Sequence, residues 1–125
     1  RERVDLVVGI ESRGFIFGPP VAIELGAGFQ MARKLGKLPW KTHSESYALE
    51  YGSAQIEIHQ DAIAPGQRVL LLDDVIATGG TAAAAARLVQ RAGGLVIAAA
   101  FLIELTALGG RPALGAIPVS SIVSY

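Results

Sequence analysis

The chain contains no cysteine, so disulfides, thiolate nucleophiles and thiolate metal sites are all excluded. It also has no excess of either charge: 11 Lys and Arg balance 11 Asp and Glu. A binder of the nucleic-acid backbone normally carries a positive surplus, so no nucleic-acid partner is expected. Apolar runs are broken by Gly, Glu and Asp well short of a membrane span, and no basic segment leading into an apolar one opens the chain. No membrane partner is expected, and a reducing cytoplasm is the plain expectation for location. Two common nucleotide motifs are missing as well. No GxGxxG string follows a strand, and the glycine-rich turn at 77–81 lacks the lysine of a nucleoside-triphosphate P-loop.

What is present suits one α/β domain over residues 1–125, with 51% hydrophobic residues to fill a core. The chain opens Arg-Glu-Arg-Val without an initiator Met and enters a core strand almost at once. It is therefore expected to begin inside a longer protein. Residues 4–8 read as a buried parallel strand, and 9–14 as a turn. Residues 16–25 read as a helix, provided that Pro19 and Pro20 sit in its first turn, where a missing N–H matters little. Residues 29–32 are a second strand. Residues 33–52 are polar and read as a mobile loop, although alternation at 47–51 and 54–59 makes a hairpin plausible. Residues 68–72 form a central strand, 81–92 a helix stopped by Gly93 and Gly94, and 95–103 a further buried strand. Residues 104–112 are loop or short helix, and 117–123 supply a last strand. Strand–helix–strand alternation predicts a mainly parallel twisted sheet flanked by helices.

Ligands of such sheets gather beyond the carboxyl ends of the strands. Three groups of residues belong there. The first is Asp73 and Asp74, followed by Ala77, Thr78, Gly79, Gly80 and Thr81. Adjacent carboxylates after a buried strand repel each other and are poor core fillers. They suit a ligand with several hydroxyls, or a hard divalent cation bridging to phosphate oxygens. The small residues let backbone N–H groups close on a phosphate, and the helix dipole adds roughly 0.3–1 kcal/mol. The second group is Glu11, Ser12, Arg13 and Gly14, where Arg13 can meet pyrophosphate oxygens. A surface salt bridge is the bland alternative. The third is the basic cluster Arg33, Lys34 and Lys37, which either faces a polyanion or is simply solvated. Together they describe a pocket with one phosphate seat, one diphosphate seat and a polyhydroxylated ring between.

Glu50 lies among Tyr47, Leu49 and Tyr51. A loop of this kind can fold over a substrate and exclude water, leaving the carboxylate to protonate a departing group or offset cationic charge. The alternative is a solvated glutamate on a hairpin. His43 and His59 have no companions at metal-ligand spacing and are read as non-catalytic. Trp40 either packs the loop or contacts a base or partner. Glu104 is a candidate to orient basic residues, while Arg87 and Arg91 are expected to be solvated on their helix.

The string VLLLDDVIATGGT at 69–81 resembles the phosphoribosyl-diphosphate signature of the type I phosphoribosyltransferases. The resemblance extends through GIESRGFIFG at 9–18, RKLGKLP at 33–39, ESYALEYG at 45–52, IEIHQDAIAPGQRV at 56–69 and FLIELTALGGR at 101–111. YALEYG after the basic segment points to the adenine branch. The resemblance implies a type I core with a flexible β-hairpin lid at 34–58, and transfer of phosphoribosyl from phosphoribosyl diphosphate to adenine, giving AMP and diphosphate with Mg²⁺. It implies that Ala77 to Thr81 hold the 5-phosphate and that Asp73 and Asp74 hold the ribose hydroxyls. Glu11 to Gly14 would form the diphosphate loop, often with a strained or cis non-proline peptide. Arg33, Lys34 and Lys37 would neutralise diphosphate, partly from a neighbouring subunit of a homodimer. Glu50 would be the catalytic carboxylate, acting at adenine N7 or on transition-state charge. Mg²⁺ would be held mainly by substrate, through water near Asp73 and Asp74, with no direct protein ligand assigned. Base-selecting contacts would come from an N-terminal hood segment that this sequence does not include. A transferase for another purine base and a non-catalytic regulator that binds phosphoribosyl diphosphate are the competing readings.

Overall fold

The structure is a computed structural model that describes residues 3–34, 36–38, 41–49 and 52–125. Five strands form the parallel part of one sheet: β1 (Leu6–Ile10), β2 (Gly28–Lys34), β5 (Arg68–Ile76), β6 (Leu95–Glu104) and β7 (Val119–Ser124). Two more, β3 (Thr42–Leu49) and β4 (Gly52–His59), complete it in antiparallel sense. The order is β3-β4-β2-β1-β5-β6-β7. Helices α1 (Gly14–Leu25) and α2 (Gly80–Arg91) cover opposite faces.

Strand alternation sets up two cores. Leu6, Val8 and Ile10 of β1, with Val69 and Leu71 of β5, pack on the α2 side beside Ala82, Ala85 and Leu88. Val7 and Leu72, with Leu70 against them, face α1. A branched side chain fully buried in this way contributes about 1.5–3 kcal/mol, so these strands anchor the fold.

Helix α1 begins at Gly14, which puts Pro19 and Pro20 in its second turn rather than its first. The helix therefore forgoes the bonds that residues 19 and 20 would donate to the Phe15 and Ile16 carbonyls. Packing compensates. Gly14, Gly18 and Ala22 are the buried residues of the helix, and a Cβ at Gly18 would come within 2.1 Å of the Phe29 ring. The small-residue stripe lets the helix lie close on the sheet.

Two expected boundaries move. The segment 33–52, read as loop, is largely sheet: Arg33 and Lys34 end β2, and β3 pairs with β4 from Thr42↔His59 to Leu49↔Gly52. Its THSESYAL sequence hides this, because one face of the strand docks on α2 through polar groups rather than apolar ones. Strand β5 also runs past the acidic pair to Ile76. Its pairing with β1 stops at Gly9↔Leu72, whereas pairing with β6 continues to Ile76↔Glu104. Asp73 and Asp74 are thus part of a strand that has lost one neighbour.

Candidate active site

The chain leaves β1 for β2 on one side and returns as β5 on the other. The carboxyl ends of β1 and β5 therefore flank a topological switch point, where open α/β sheets bind ligands. All three residue groups read from the sequence meet at this edge.

The turn 11–13 joins β1 to α1, and its Glu11–Ser12 peptide bond is cis. The Glu11 carboxylate accepts the Lys34 backbone N–H at 2.7 Å and the Arg33 Nε–H at 3.4 Å. It thus ties this turn to the end of β2. The Arg33 guanidinium also lies 5.5 Å from the Phe15 ring centroid, a cation–π contact, and Phe15 meets Phe29 edge to face. Behind the basic segment a second carboxylate, Glu57, is 5% exposed and accepts the Gly36 N–H at 2.9 Å and the Thr42 hydroxyl at 3.0 Å. Two acids thus hold the backbone N–H groups of Lys34 and Gly36, while the Lys34 and Lys37 side chains are exposed. Sequence reasoning missed both Glu57 and Phe15. The one available signal was a glutamate at a position that strand alternation could have placed inward.

Asp74 faces the α1 side, where its Oδ2 pairs with Arg13 Nη1 at 3.2 Å. The Val75 N–H donates to its Oδ1 at 2.9 Å, and the Asp74 N–H donates to Asp73 Oδ1 at 2.8 Å. Burial pushes the Asp73 carboxyl up to about 7; its neighbour Asp74 adds to the rise, and the Asp74 N–H partly opposes it. Such an acid ionises fully once hydroxyl donors or a cation meet it. The pair therefore fits the charge and hydrogen-bonding needs of ribose hydroxyls and of a hydrated divalent cation. No cluster of three or more metal-ligating acids or histidines occurs among the described residues.

Beyond Asp73 the chain wraps a cup of about 100 Å³, walled by Ala77 to Thr81. That leaves room for a small anion such as phosphate. Gly79 has φ +87, and a Cβ there would meet the Gly110 carbonyl oxygen at 2.4 Å, so both conformation and space require glycine. Gly79 is also the N-cap of α2 and supplies no side-chain oxygen, which leaves first-turn N–H groups for a ligand. The first helical bond to this cap is Ala83 N–H to the Gly79 carbonyl at 2.9 Å.

Arg87 and Arg91 are exposed, as expected, and from the helix surface they also grip β3. Arg87 donates to Glu45 Oε1 at 2.9 Å and to the Ser46 carbonyl at 3.0 Å. Arg91 donates to Glu45 Oε2 at 2.8 Å and to the Ser44 carbonyl at 2.6 Å. These two arginines hold the Glu45 carboxyl below its usual range. The hairpin is thereby joined to the helix whose N-terminus forms the cup. Tyr47 packs against the α2-side core from β3, and Leu49 is the last residue of that strand. Glu50, Tyr51 and Trp40 lie outside the described residues.

Comparison with known proteins is consistent along the whole chain. It is similar to the adenine phosphoribosyltransferase of Anaeromyxobacter dehalogenans (strain 2CP-1), with 59% identity over 124 residues that cover 99% of this chain and 72% of that one. The solved adenine phosphoribosyltransferase of Rhodothermus marinus superposes with a TM-score of 0.97 at 59% identity, over 100% of this chain and 72% of that one. The Saccharomyces cerevisiae enzyme, complexed with D-2,5-dideoxy-2,5-imino-altritol 1,6-bisphosphate and adenine, gives a TM-score of 0.94 at 45% identity, over 98% and 69%. The family model for the phosphoribosyl transferase domain runs over residues 1–121, and the chain belongs to that family.

Proposed function

We propose that the chain transfers the 5-phosphoribosyl group from phosphoribosyl diphosphate to adenine, releasing AMP and diphosphate. The observation that carries this reading is the joining, within one strand–turn–helix, of a phosphate-sized cup to an acidic pair that Arg13 faces from the opposite loop. Similarity to adenine phosphoribosyltransferases at up to 59% identity supports adenine as the base.

In this reading Ala77, Thr78, Gly79, Gly80 and Thr81 hold the 5-phosphate through backbone N–H groups and the two hydroxyls. Asp73 and Asp74 accept from the ribose hydroxyls and fix the ring, without removing a proton in the chemical step. As the C1′–O bond breaks, positive character develops at C1′ and negative charge on the departing diphosphate. Arg13, Arg33, Lys34 and Lys37, with the backbone of Ser12 and Gly14, stabilise that charge. Each charge-assisted hydrogen bond of this kind is worth about 1.5–3 kcal/mol. Glu11 acts through the geometry that it imposes on Arg33 and Lys34. Bound Mg²⁺, held by substrate oxygens and by Asp73 and Asp74 through water, would neutralise part of the diphosphate charge. The N9 lone pair of the N7–H tautomer of adenine forms the new bond to C1′, and the N7 proton is lost to the Glu50 carboxylate or to solvent.

The hairpin region 34–58 serves as the lid over this single core domain. Tyr47 anchors the hairpin on the α2-side core, Leu49 and Tyr51 exclude water, and Glu50 offsets charge on the base. A homodimer belongs to the same reading, since Ile23 and Ile122 are 80% and 78% exposed. No helix among the described residues is long and apolar enough to cross a membrane, and a cytoplasmic site of action fits the cysteine-free chain.

The deciding experiment supplies Mg²⁺, phosphoribosyl diphosphate and, in turn, adenine, hypoxanthine, guanine and xanthine, and follows nucleotide formation. AMP is expected to dominate. Dominant IMP, GMP or XMP would reassign the base, and tight binding without turnover would make the chain a sensor rather than an enzyme.

A further inference from the structure

The phosphate cup is backed by a segment that meets no ligand in the reading above. Between β6 and β7, two 3₁₀ turns (Thr106–Leu108 and Arg111–Leu114) carry the chain behind the Ala77–Gly79 bend. The two stretches touch backbone to backbone. A Cβ at Gly110 would lie 2.5 Å from the Ala77 carbonyl oxygen, and one at Gly79 would lie 2.4 Å from the Gly110 carbonyl oxygen. The shape of the cup is therefore set by where Gly110 sits.

Gly110 in turn is fixed by its neighbour. Arg111 donates from Nε to Glu104 Oε2 and from Nη2 to Glu104 Oε1, both at 2.7 Å, and from Nη1 to the Val119 carbonyl at 2.8 Å. The Ser121 hydroxyl donates to Glu104 Oε1 at 2.9 Å. Glu104 is 7% exposed and is registered opposite Ile76, the last residue of β5 before the bend. One bidentate pair thus links the end of β6, the edge strand β7 and the turn that presses on the cup. Bidentate guanidinium–carboxylate geometry fixes direction as well as distance, which a lysine cannot reproduce.

We propose that Glu104 and Arg111 are positioning residues for the phosphate-binding bend, setting affinity for the 5-phosphate end of the substrate without contacting it. The proposal rests on the assignment of that bend as the 5-phosphate seat. It predicts a split between two ligands. Ribose 5-phosphate uses the braced bend, whereas inorganic diphosphate uses the loop after β1 and the basic end of β2, which the pair does not touch.

The test is calorimetric titration of the wild-type chain, Glu104→Gln, Arg111→Met and Arg111→Lys with ribose 5-phosphate and, separately, with diphosphate. Ribose 5-phosphate affinity is expected to fall about tenfold in Glu104→Gln and Arg111→Met. Arg111→Lys should fall between these variants and wild type, and diphosphate affinity should be unchanged throughout. Unchanged ribose 5-phosphate affinity, or an equal loss for both ligands, would overturn the proposal. Arg111→Lys keeps the charge and provides a folded variant if the neutral ones do not fold. The functional reading fails separately: a wild-type chain that makes no AMP would remove the enzyme assignment, while ribose 5-phosphate binding would still report on the brace.

Discussion

Replacing Asp73 by Asn should make the ligand-free protein more stable at pH 8 while removing its function. Burial raises the Asp73 carboxyl from 3.8 to about 7. Between these values the folded state keeps a proton that the unfolded chain has already lost, so stability falls as pH rises across this window. The contribution is fully present below about pH 4 and is gone above about pH 7. At about 1.4 kcal/mol per unit, the full shift corresponds to about 4 kcal/mol; water reaches the partly buried carboxyl, which brings the expected figure to about 2–3 kcal/mol. Asparagine has no such term, and every other titrating group is common to both proteins. The stability difference between Asp73→Asn and wild type should therefore grow by about 2–3 kcal/mol in favour of the variant between pH 4.5 and pH 8. Urea unfolding at half-unit pH intervals measures this directly. The same variant should bind ribose 5-phosphate weakly at pH 8, where the wild-type carboxylate is ionised and able to accept from the ribose hydroxyls. A difference that stays constant with pH, or a variant less stable than wild type at pH 8, would refute the argument from burial.

Three further outcomes are expected. Gly79→Ala should lower stability by about 1–3 kcal/mol, because alanine is strained at positive φ and its methyl meets the Gly110 carbonyl; thermal unfolding and ribose 5-phosphate titration should both report it. Glu50→Gln should slow turnover by about 10²-fold while diphosphate affinity holds, which single-turnover kinetics can separate from binding. Glu57→Leu removes both acceptor oxygens and leaves the Gly36 N–H and the Thr42 hydroxyl without this partner. It should cost about 1–3 kcal/mol in urea unfolding and weaken diphosphate binding through the displaced Lys34–Lys37 segment, while sparing ribose 5-phosphate.

The candidate site was legible because its chemistry is written contiguously. An apolar strand, two acids, a small-residue turn and an alanine-rich helix follow one another at 69–86, and parallel strands must bring their carboxyl ends to one edge. The strands themselves were also legible where packing is apolar, as at β1 and β6. What escaped was held by polar contacts between distant segments. Glu45 lies 42 residues from Arg87, and nothing local marks THSESYAL as a strand that docks on a helix through ion pairs. The extension of β5 through Asp73 depends on how far β6 goes on pairing with it after β1 has stopped, which the β5 sequence does not contain. Helix α1 keeps two prolines in its second turn because glycines at 14 and 18 bring it close to the sheet, a tertiary gain that outweighs two lost backbone bonds.

The same polar contacts explain how a chain of zero net charge can serve a polyanionic substrate. Long-range steering by net charge is excluded, so attraction must come from a few cations on a backbone whose geometry is already set. Each ligand-facing segment has a charged brace behind it. Glu11 and Glu57 hold the basic end of β2, Glu104 and Arg111 hold the turn that shapes the cup, and Glu45 with Arg87 and Arg91 holds the hairpin. Glu11, Glu45, Glu57 and Glu104 are matched in number by Arg33, Arg87, Arg91 and Arg111, so taken together the braces fix geometry without adding net charge. In the proposed reading the exposed Lys34, Lys37 and Arg13 would meet the diphosphate, Arg13 by exchanging its contact with Asp74 for one with the ligand. Raising ionic strength should accordingly weaken diphosphate binding, which depends on exposed cations, more steeply than ribose 5-phosphate binding, which depends on partly enclosed N–H groups.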